Sequence, residues 1–174
     1  MSRSKYALIV FLVIISTSSV LFAWEGKVVG VTDGDTIKVL KDGIQVKVRL
    51  AAIDCPEKGQ PYGQAAKKFT ANLVAGKIVN VWPTDTDRYG RTIAFVFVGG
   101  VDLNKELLKA GLAWHYKQYS RDPELAKLEF EARSKKVGLW VEADAVAPWE
   151  WRKNKRSGKK KFEFSGGIST TIEH

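Results

Sequence analysis

Five short strands interrupted by one helix, with two more helices behind them, predict an α+β fold: a small five-stranded β-barrel with three packed helices. Three observations carry that expectation. Apolar and polar residues alternate with a period of two along the best strand candidates, as in Val46, Val48 and Leu50 set between Gln45, Lys47 and Arg49. Two Asp-Gly pairs, at 33–34 and 42–43, are hairpin turn signals. The spacing then turns helical after Gly63 and again after residue 102. A chain of 174 residues that is 45% hydrophobic can bury one core, so one domain is expected.

The elements follow in order. Residues 25–31 read as a first strand, and Asp33-Gly34 as the turn into a second at 36–40. Asp42-Gly43 turns the chain into a third strand, 44–52, whose period of two puts Arg49 on the face opposite the apolar set, away from the core. Residues 63–75 form a helix, with Gly76 as a stop beyond its end. Strands at 77–82 and 91–98 enclose a loop at 85–90. A short helix at 103–110 ends at Gly111. Asp122 as N-cap and Pro123 at the first helical position open a third helix that runs to about residue 136. The oligonucleotide-binding barrel (OB-fold), a partly open five-stranded Greek key, has this order, although other α+β folds can be written on the same string.

The two ends differ from the middle. Arg3 and Lys5 precede an unbroken apolar run over residues 7–15, then four Ser/Thr residues and Leu21-Phe22-Ala23. That is secretory signal architecture, with a cut expected after Ala23 and a protein secreted or periplasmic; the alternative is a membrane anchor over residues 6–23. After residue 151 apolar periodicity is lost, and residues 152–174 are expected to be a basic, disordered tail. The net charge of +9 is concentrated there: residues 152–161 hold seven bases, while residues 24–151 carry only +2. Such a tail can attract nucleic acid or anionic surfaces, or simply solvate the chain. Cys55 is the only cysteine, so no intramolecular disulfide forms, and a small half-buried side chain followed by Pro56 is expected.

Several chemistries are excluded. There is no phosphate-loop, dinucleotide or H-E-x-x-H motif. Two histidines, His115 and the terminal His174, cannot build a zinc site without cysteine partners. His115 is expected to be packed or on the surface. What remains is oxygen ligands and arginines, gathered in Asp33-Gly34-Asp35-Thr36, in the run from Arg49 to Glu57, and in Asp87-Arg88-Tyr89-Gly90-Arg91. Carboxylates collect a hard cation and arginines grip an oxyanion, so the set suits a phosphodiester held against a metal.

In this order and spacing the segments resemble the staphylococcal-nuclease-like thermonucleases, from about residue 27 to residue 149. That family shows D-G-D-T/S at the first hairpin, R-L-x-x-[IV]-D-x-P-E after the third strand and Y-G-R entering the fifth. Asn104 and Gly111-Leu112-Ala113 match its second helix and exit. The resemblance implies that Asp35 and Asp54 hold Ca²⁺ with the backbone carbonyl of Cys55, where the best-known member has threonine. It implies Glu57 as general base or water-positioning group, and Arg49 and Arg91 as the phosphate clamp. Tyr89 matches a tyrosine near the nucleotide, and a second maps to Tyr116 or Tyr119. The implied protein is a monomeric, calcium-dependent nuclease acting on DNA and/or RNA and leaving 3′-phosphates. The alternative is a non-catalytic OB-fold module that binds single-stranded nucleic acid.

Overall fold

The computed structural model describes residues 22–157. The expected leader falls almost wholly outside the described residues, as does the tail beyond residue 157. Among the described residues no helix is long and apolar enough to cross a membrane.

The barrel is built by β1 (Trp24–Asp33), β2 (Thr36–Lys41), β3 (Ile44–Leu50), β5 (Ile78–Thr86) and β6 (Thr92–Val98). The short strands β4 (Ile53–Asp54), β7 (Val101–Asp102) and β8 (Trp114–His115) hang on its rim. Neighbours run β3-β2-β1-β5-β6-β7, and a parallel pairing of β3 with β6 closes the sheet on itself. Closure removes the open edges that a five-stranded sheet would expose. Inside lie Val28, Ile37, Val39, Val48, Leu50, Val79, Val81, Ala94 and Val96, all nearly or fully buried. Their branched side chains suit the pleated, half-buried strand surface.

Among the described residues four α-helices lie outside the barrel, α1 (Gly63–Val74) against β1, α2 (Leu103–Lys109) against β6, α3 (Pro123–Ser134) against α2 and β8, and α4 (Pro148–Arg156) against Trp114 and Tyr116. In α1 the buried residues Gly63, Ala66, Thr70 and Val74 form one stripe at helical spacing. As expected, the carboxylate of Asp122 accepts from the N–H groups of Glu124 and Leu125 behind Pro123. Asp102 caps α2 in the same way, accepting from Asn104 and Lys105. The fourth helix was not expected. It begins at Pro148 and carries the chain through the boundary drawn at residue 151, so Arg152 to Arg156 are helical rather than tail.

Two turns show different physics under similar sequences. Asp42 and Gly43 both take positive φ, 49° and 79°, the geometry that a two-residue hairpin loop demands. At the other hairpin Asp33 pairs with Thr36, so the turn residues are Gly34 and Asp35, and Gly34 is not in the left-handed region. Glycine is needed there for space: a Cβ would stand 2.7 Å from the Cβ of Ala66 and 2.9 Å from that of Cys55. The turn is thereby pressed onto α1 and onto the segment after β4.

The barrel seam is clasped by Asn104, which is fully buried. Its amide donates to the carbonyl of Ala51 at 2.8 Å, and its side-chain oxygen accepts from the N–H of Val96 at 3.2 Å. The N–H of Ala51 in turn donates to the carbonyl of Ala94 at 2.7 Å. His115 is packed, 2% exposed, with neither ring nitrogen bonded to protein among the described residues. Burial holds its pKa below the ordinary value, against the opposing pull of Glu129.

Asn104→Ala leaves buried backbone groups unpaired at the seam and should cost about 2–4 kcal/mol, read by denaturant unfolding. For His115 the folded pKa is depressed. Its stabilising contribution is present above the unfolded value near 6.5 and is lost as pH falls below it. Denaturant unfolding between pH 7.5 and 5 should therefore show the wild type losing stability relative to His115→Phe as pH falls, a difference in which the carboxyls common to both proteins, Asp33 among them, cancel.

Candidate active site

β3 ends at Leu50, and Ala52, at φ 62°, reverses the chain into β4. There Ile53 pairs with His115 and Asp54 with Trp114. The carbonyl of Ala52 accepts from the N–H of Tyr116 at 2.8 Å. These pairings set Asp54, Cys55 and Glu57 beside the Gly34–Asp35 turn on one side and Trp114 to Tyr116 on the other. The turn is fixed in place because the backbone carbonyl of Asp35 accepts from the N–H of Leu50 at 2.8 Å.

Arg49 is the hub. Its Nη1 donates to the carbonyls of Leu50 at 2.7 Å and Ile53 at 2.9 Å. Its Nη2 meets Asp54 Oδ1 at 2.7 Å and Asp35 Oδ2 at 3.0 Å. Strand alternation sends this side chain off the apolar face, as expected, but not away from the interior: it is only 12% exposed. The correction has a plain cause. At the rim the chain folds back over β3, and two carbonyls and two carboxylates replace the water that the guanidinium would otherwise need.

The carboxylates are themselves buried, Asp54 at 1% and Asp35 at 5% exposure. Asp35 Oδ2 also accepts the N–H of Cys55 at 2.7 Å, and Oδ1 accepts the Thr36 hydroxyl at 3.1 Å. The Cys55 side chain is fully packed, and burial pushes its thiol well above the usual range, so it stands as a neutral thiol while its backbone N–H is held by Asp35. Burial raises the Asp54 carboxyl, opposed by a hydrogen bond from Arg152 and the charge of Arg49. Asp33, one step back on the hairpin, is pushed to about 7 by burial and then by the neighbouring charge of Asp35. Burial works against the charge of Arg49, yet Asp35 and Asp54 outweigh it and lift its pKa.

The side chain that sequence reasoning missed is Arg152. From α4 its Nη2 reaches Asp54 Oδ2 at 2.7 Å, and its Nη1 reaches Glu57 Oε1 at 2.6 Å and Asp54 Oδ1 at 3.3 Å. The helix is held there by aromatic packing. Trp149 stacks parallel on Tyr116 at 5.2 Å and edge-on against Trp114 at 5.6 Å. Trp149 and Arg152 are three residues apart, hence on one face of the helix. Gln60 adds a tether: its amide donates to the carbonyl of Val146 at 2.6 Å, and its oxygen accepts the N–H of Glu57 at 3.0 Å. The signal was present as Pro148 ahead of that Trp149/Arg152 spacing, but the basic run beyond it read as tail.

The remaining expected residues are spread wider. Arg91 is bound to Asp87, its Nε at 2.7 Å from Oδ2 and its N–H at 3.0 Å from Oδ1. It stands at the entry to β6, one residue before Thr92, which pairs with Val48. No bond from Arg91 to Asp35, Asp54 or Glu57 is seen among the described residues. Tyr89 is 67% exposed beneath the Arg88 and Arg91 guanidiniums. Tyr116 lies beside Asp54 and Arg152; burial and the charge of Asp54 raise its hydroxyl pKa. Tyr119, 71% exposed, packs edge-on against Tyr116 at 4.8 Å.

Asp35 and Asp54 offer carboxylate oxygens of the kind that suits a hard cation, with the Cys55 carbonyl as the expected third ligand. Asp35, Asp54 and Glu57 also outnumber Arg49 and Arg152, an excess of negative charge that a divalent ion would balance. No cluster of three or more His, Cys, Asp or Glu side chains arranged around a metal occurs among the described residues. An ion here would therefore rest on two side chains, with carbonyl, water and substrate completing its shell.

Comparison with known proteins agrees with this architecture. Residues 47–142 match the family model described as staphylococcal nuclease homologue. The chain is 45% identical over 143 residues to an uncharacterized endonuclease of Escherichia coli, covering 78% of this chain and 94% of that protein. It is 40% identical over 168 residues to Protein ParB of Escherichia coli, covering 88% and 95%. It is 39% identical over 145 residues to a micrococcal nuclease of Shigella flexneri, covering 75% and 83%. With an OB-type barrel, an arginine between two buried carboxylates and a third carboxylate at the rim, the chain belongs to the staphylococcal nuclease homologue family.

Proposed function

We propose that the protein is a calcium-dependent endonuclease, exported after cleavage near Ala23, that hydrolyses DNA and/or RNA phosphodiesters and leaves 3′-phosphates. The observation that carries the chemistry is Arg49 bridging Asp35 and Asp54 at 3.0 and 2.7 Å, with Glu57 on the same rim. Nuclease chemistry agrees with the family and with the endonuclease and micrococcal nuclease names of the relatives.

Attack of water on a phosphodiester builds negative charge on the non-bridging oxygens. The Asp35 and Asp54 carboxylates and the Cys55 carbonyl would hold the ion, which when bound supplies positive charge at those oxygens. Arg49 is set before the substrate arrives by two carbonyls, so its guanidinium stabilises the developing charge with little reorganisation. Glu57, 38% exposed, is the carboxylate open enough to meet a water, and it takes the proton at Oε1 or Oε2. Arg91, turned by Asp87 at the start of β6, supplies the second guanidinium once the phosphate lies between it and Arg49. Tyr89 and Tyr119 offer exposed ring faces on which bases can stack. A site with only two carboxylate ligands should bind calcium weakly without substrate, with a Kd of roughly 10⁻⁴–10⁻³ M. An exported enzyme meets calcium at such levels.

Incubation of the purified protein with single- and double-stranded DNA and with RNA, in calcium and then in excess chelator, tests the reading. Cutting should require calcium and fall at least about 100-fold in Glu57→Gln and Arg91→Ala. Arg49→Lys should fall comparably, because an ammonium cannot serve two carbonyls and two carboxylates from one planar fork. Tight binding without cutting in calcium would instead make the protein a nucleic-acid-binding barrel. N-terminal sequencing of the exported protein should begin at Trp24; an intact N-terminus in the membrane fraction would establish an anchor.

A further inference from the structure

Arg152 lies outside the stretch matched by the family model, which ends at residue 142, yet it bonds directly to two of the proposed active-site carboxylates. Its fork spans Asp54, a proposed ion ligand, and Glu57, the proposed base, with separations of 2.7 and 2.6 Å. Both oxygens of Asp54 are engaged: Oδ2 by Arg152, Oδ1 by Arg49 and more distantly by Arg152. An ion bound through Asp54 would bring a double positive charge into direct contact range of the Arg152 guanidinium. At such separations repulsion is large, more so where Asp54 is 1% exposed and water cannot screen it. Glu57 Oε1, meanwhile, is held by the same guanidinium, which leaves Oε2 as the oxygen open to water.

The contact is built rather than incidental. Pro148 starts α4, Trp149 stacks on Tyr116 and Trp114, and Gln60 ties Val146 to the Glu57 loop. Arg152 itself is 34% exposed, so its head group has solvent to move into without the helix unpacking. We infer that Arg152 is a resident cation of the active site, which occupies Asp54 and Glu57 when the metal is absent and must be displaced from them for the ion to bind. α4 thereby sets the calcium affinity of the resting protein. This rests on the nuclease reading above.

Calcium affinity without nucleic acid is the test, measured by calorimetry on the full chain and on Arg152→Ala, Arg152→Gln and Arg152→Lys, with near-ultraviolet circular dichroism confirming the fold. Arg152→Ala and Arg152→Gln should bind calcium at least tenfold more tightly than wild type, and Arg152→Lys, which keeps the charge, should stay within about threefold. Calcium should also raise the Tm of the two neutral variants more than that of the wild type. Arg152→Gln retains a polar head of similar length, so it keeps the question open to measurement if alanine fails to fold. Equal or weaker calcium binding in folded Arg152→Gln would overturn the inference, and if the wild type still cut nucleic acid in calcium the nuclease reading would stand. Absence of calcium binding and of cutting in every protein would overturn both.

Discussion

The parallel seam between β3 and β6 is the constraint on which the rest of the molecule depends. Parallel neighbours cannot be joined by a tight turn, so their pairing must be secured from outside the two strands. Asn104 does this from α2 by giving Ala51 a donor and Val96 an acceptor inside a dry interior. β3 ends at Leu50, the last residue of that seam. The chain turns at Ala52 and delivers Asp54, Cys55 and Glu57 to the rim, where the first hairpin is waiting with Asp35.

The rim is then organised by charge. Carboxylates so buried would ordinarily be neutralised by protonation, and the raised position of Asp54 shows that pressure. Arg49 and Arg152 oppose it from opposite sides, one fixed by backbone carbonyls in the barrel and the other carried on a helix that packs through tryptophan. Their exposure differs accordingly. Arg49 is sealed at 12% exposure, while Arg152 stands at 34% at the edge of solvent.

Most of the fold was legible in residue patterns. The strands, the caps at Asp122 and the turn at Asp42-Gly43 follow from neighbouring residues alone, because alternation, capping and positive φ are local preferences. Gly34 carried a turn signal for a reason the pattern could not show, since the clash it avoids is with Ala66 and Cys55 far along the chain. β5 runs on to Thr86, beyond the expected end at residue 82, because its ladder with β6 continues through Pro83 and Asp85 across a bulge. The helix at Pro148 was hidden by its own composition. Seven bases from residue 152 onward read as solvated chain, and only packing on Trp114 and Tyr116 makes the first of them structural.

By itself, the sequence determined the barrel class and the order of its elements, and it named the carboxylates and arginines expected of a phosphodiester site. Periodicity, turns and residue chemistry are all written within a few positions of one another. The tertiary structure decided how those groups meet: Arg49 enclosed rather than solvated, Arg91 held by Asp87, and Arg152 set on Asp54 and Glu57 across 98 and 95 residues. Those outcomes depend on desolvation and on Coulomb contacts between segments distant in the chain. Such contacts exist only once the barrel has closed and α4 has packed.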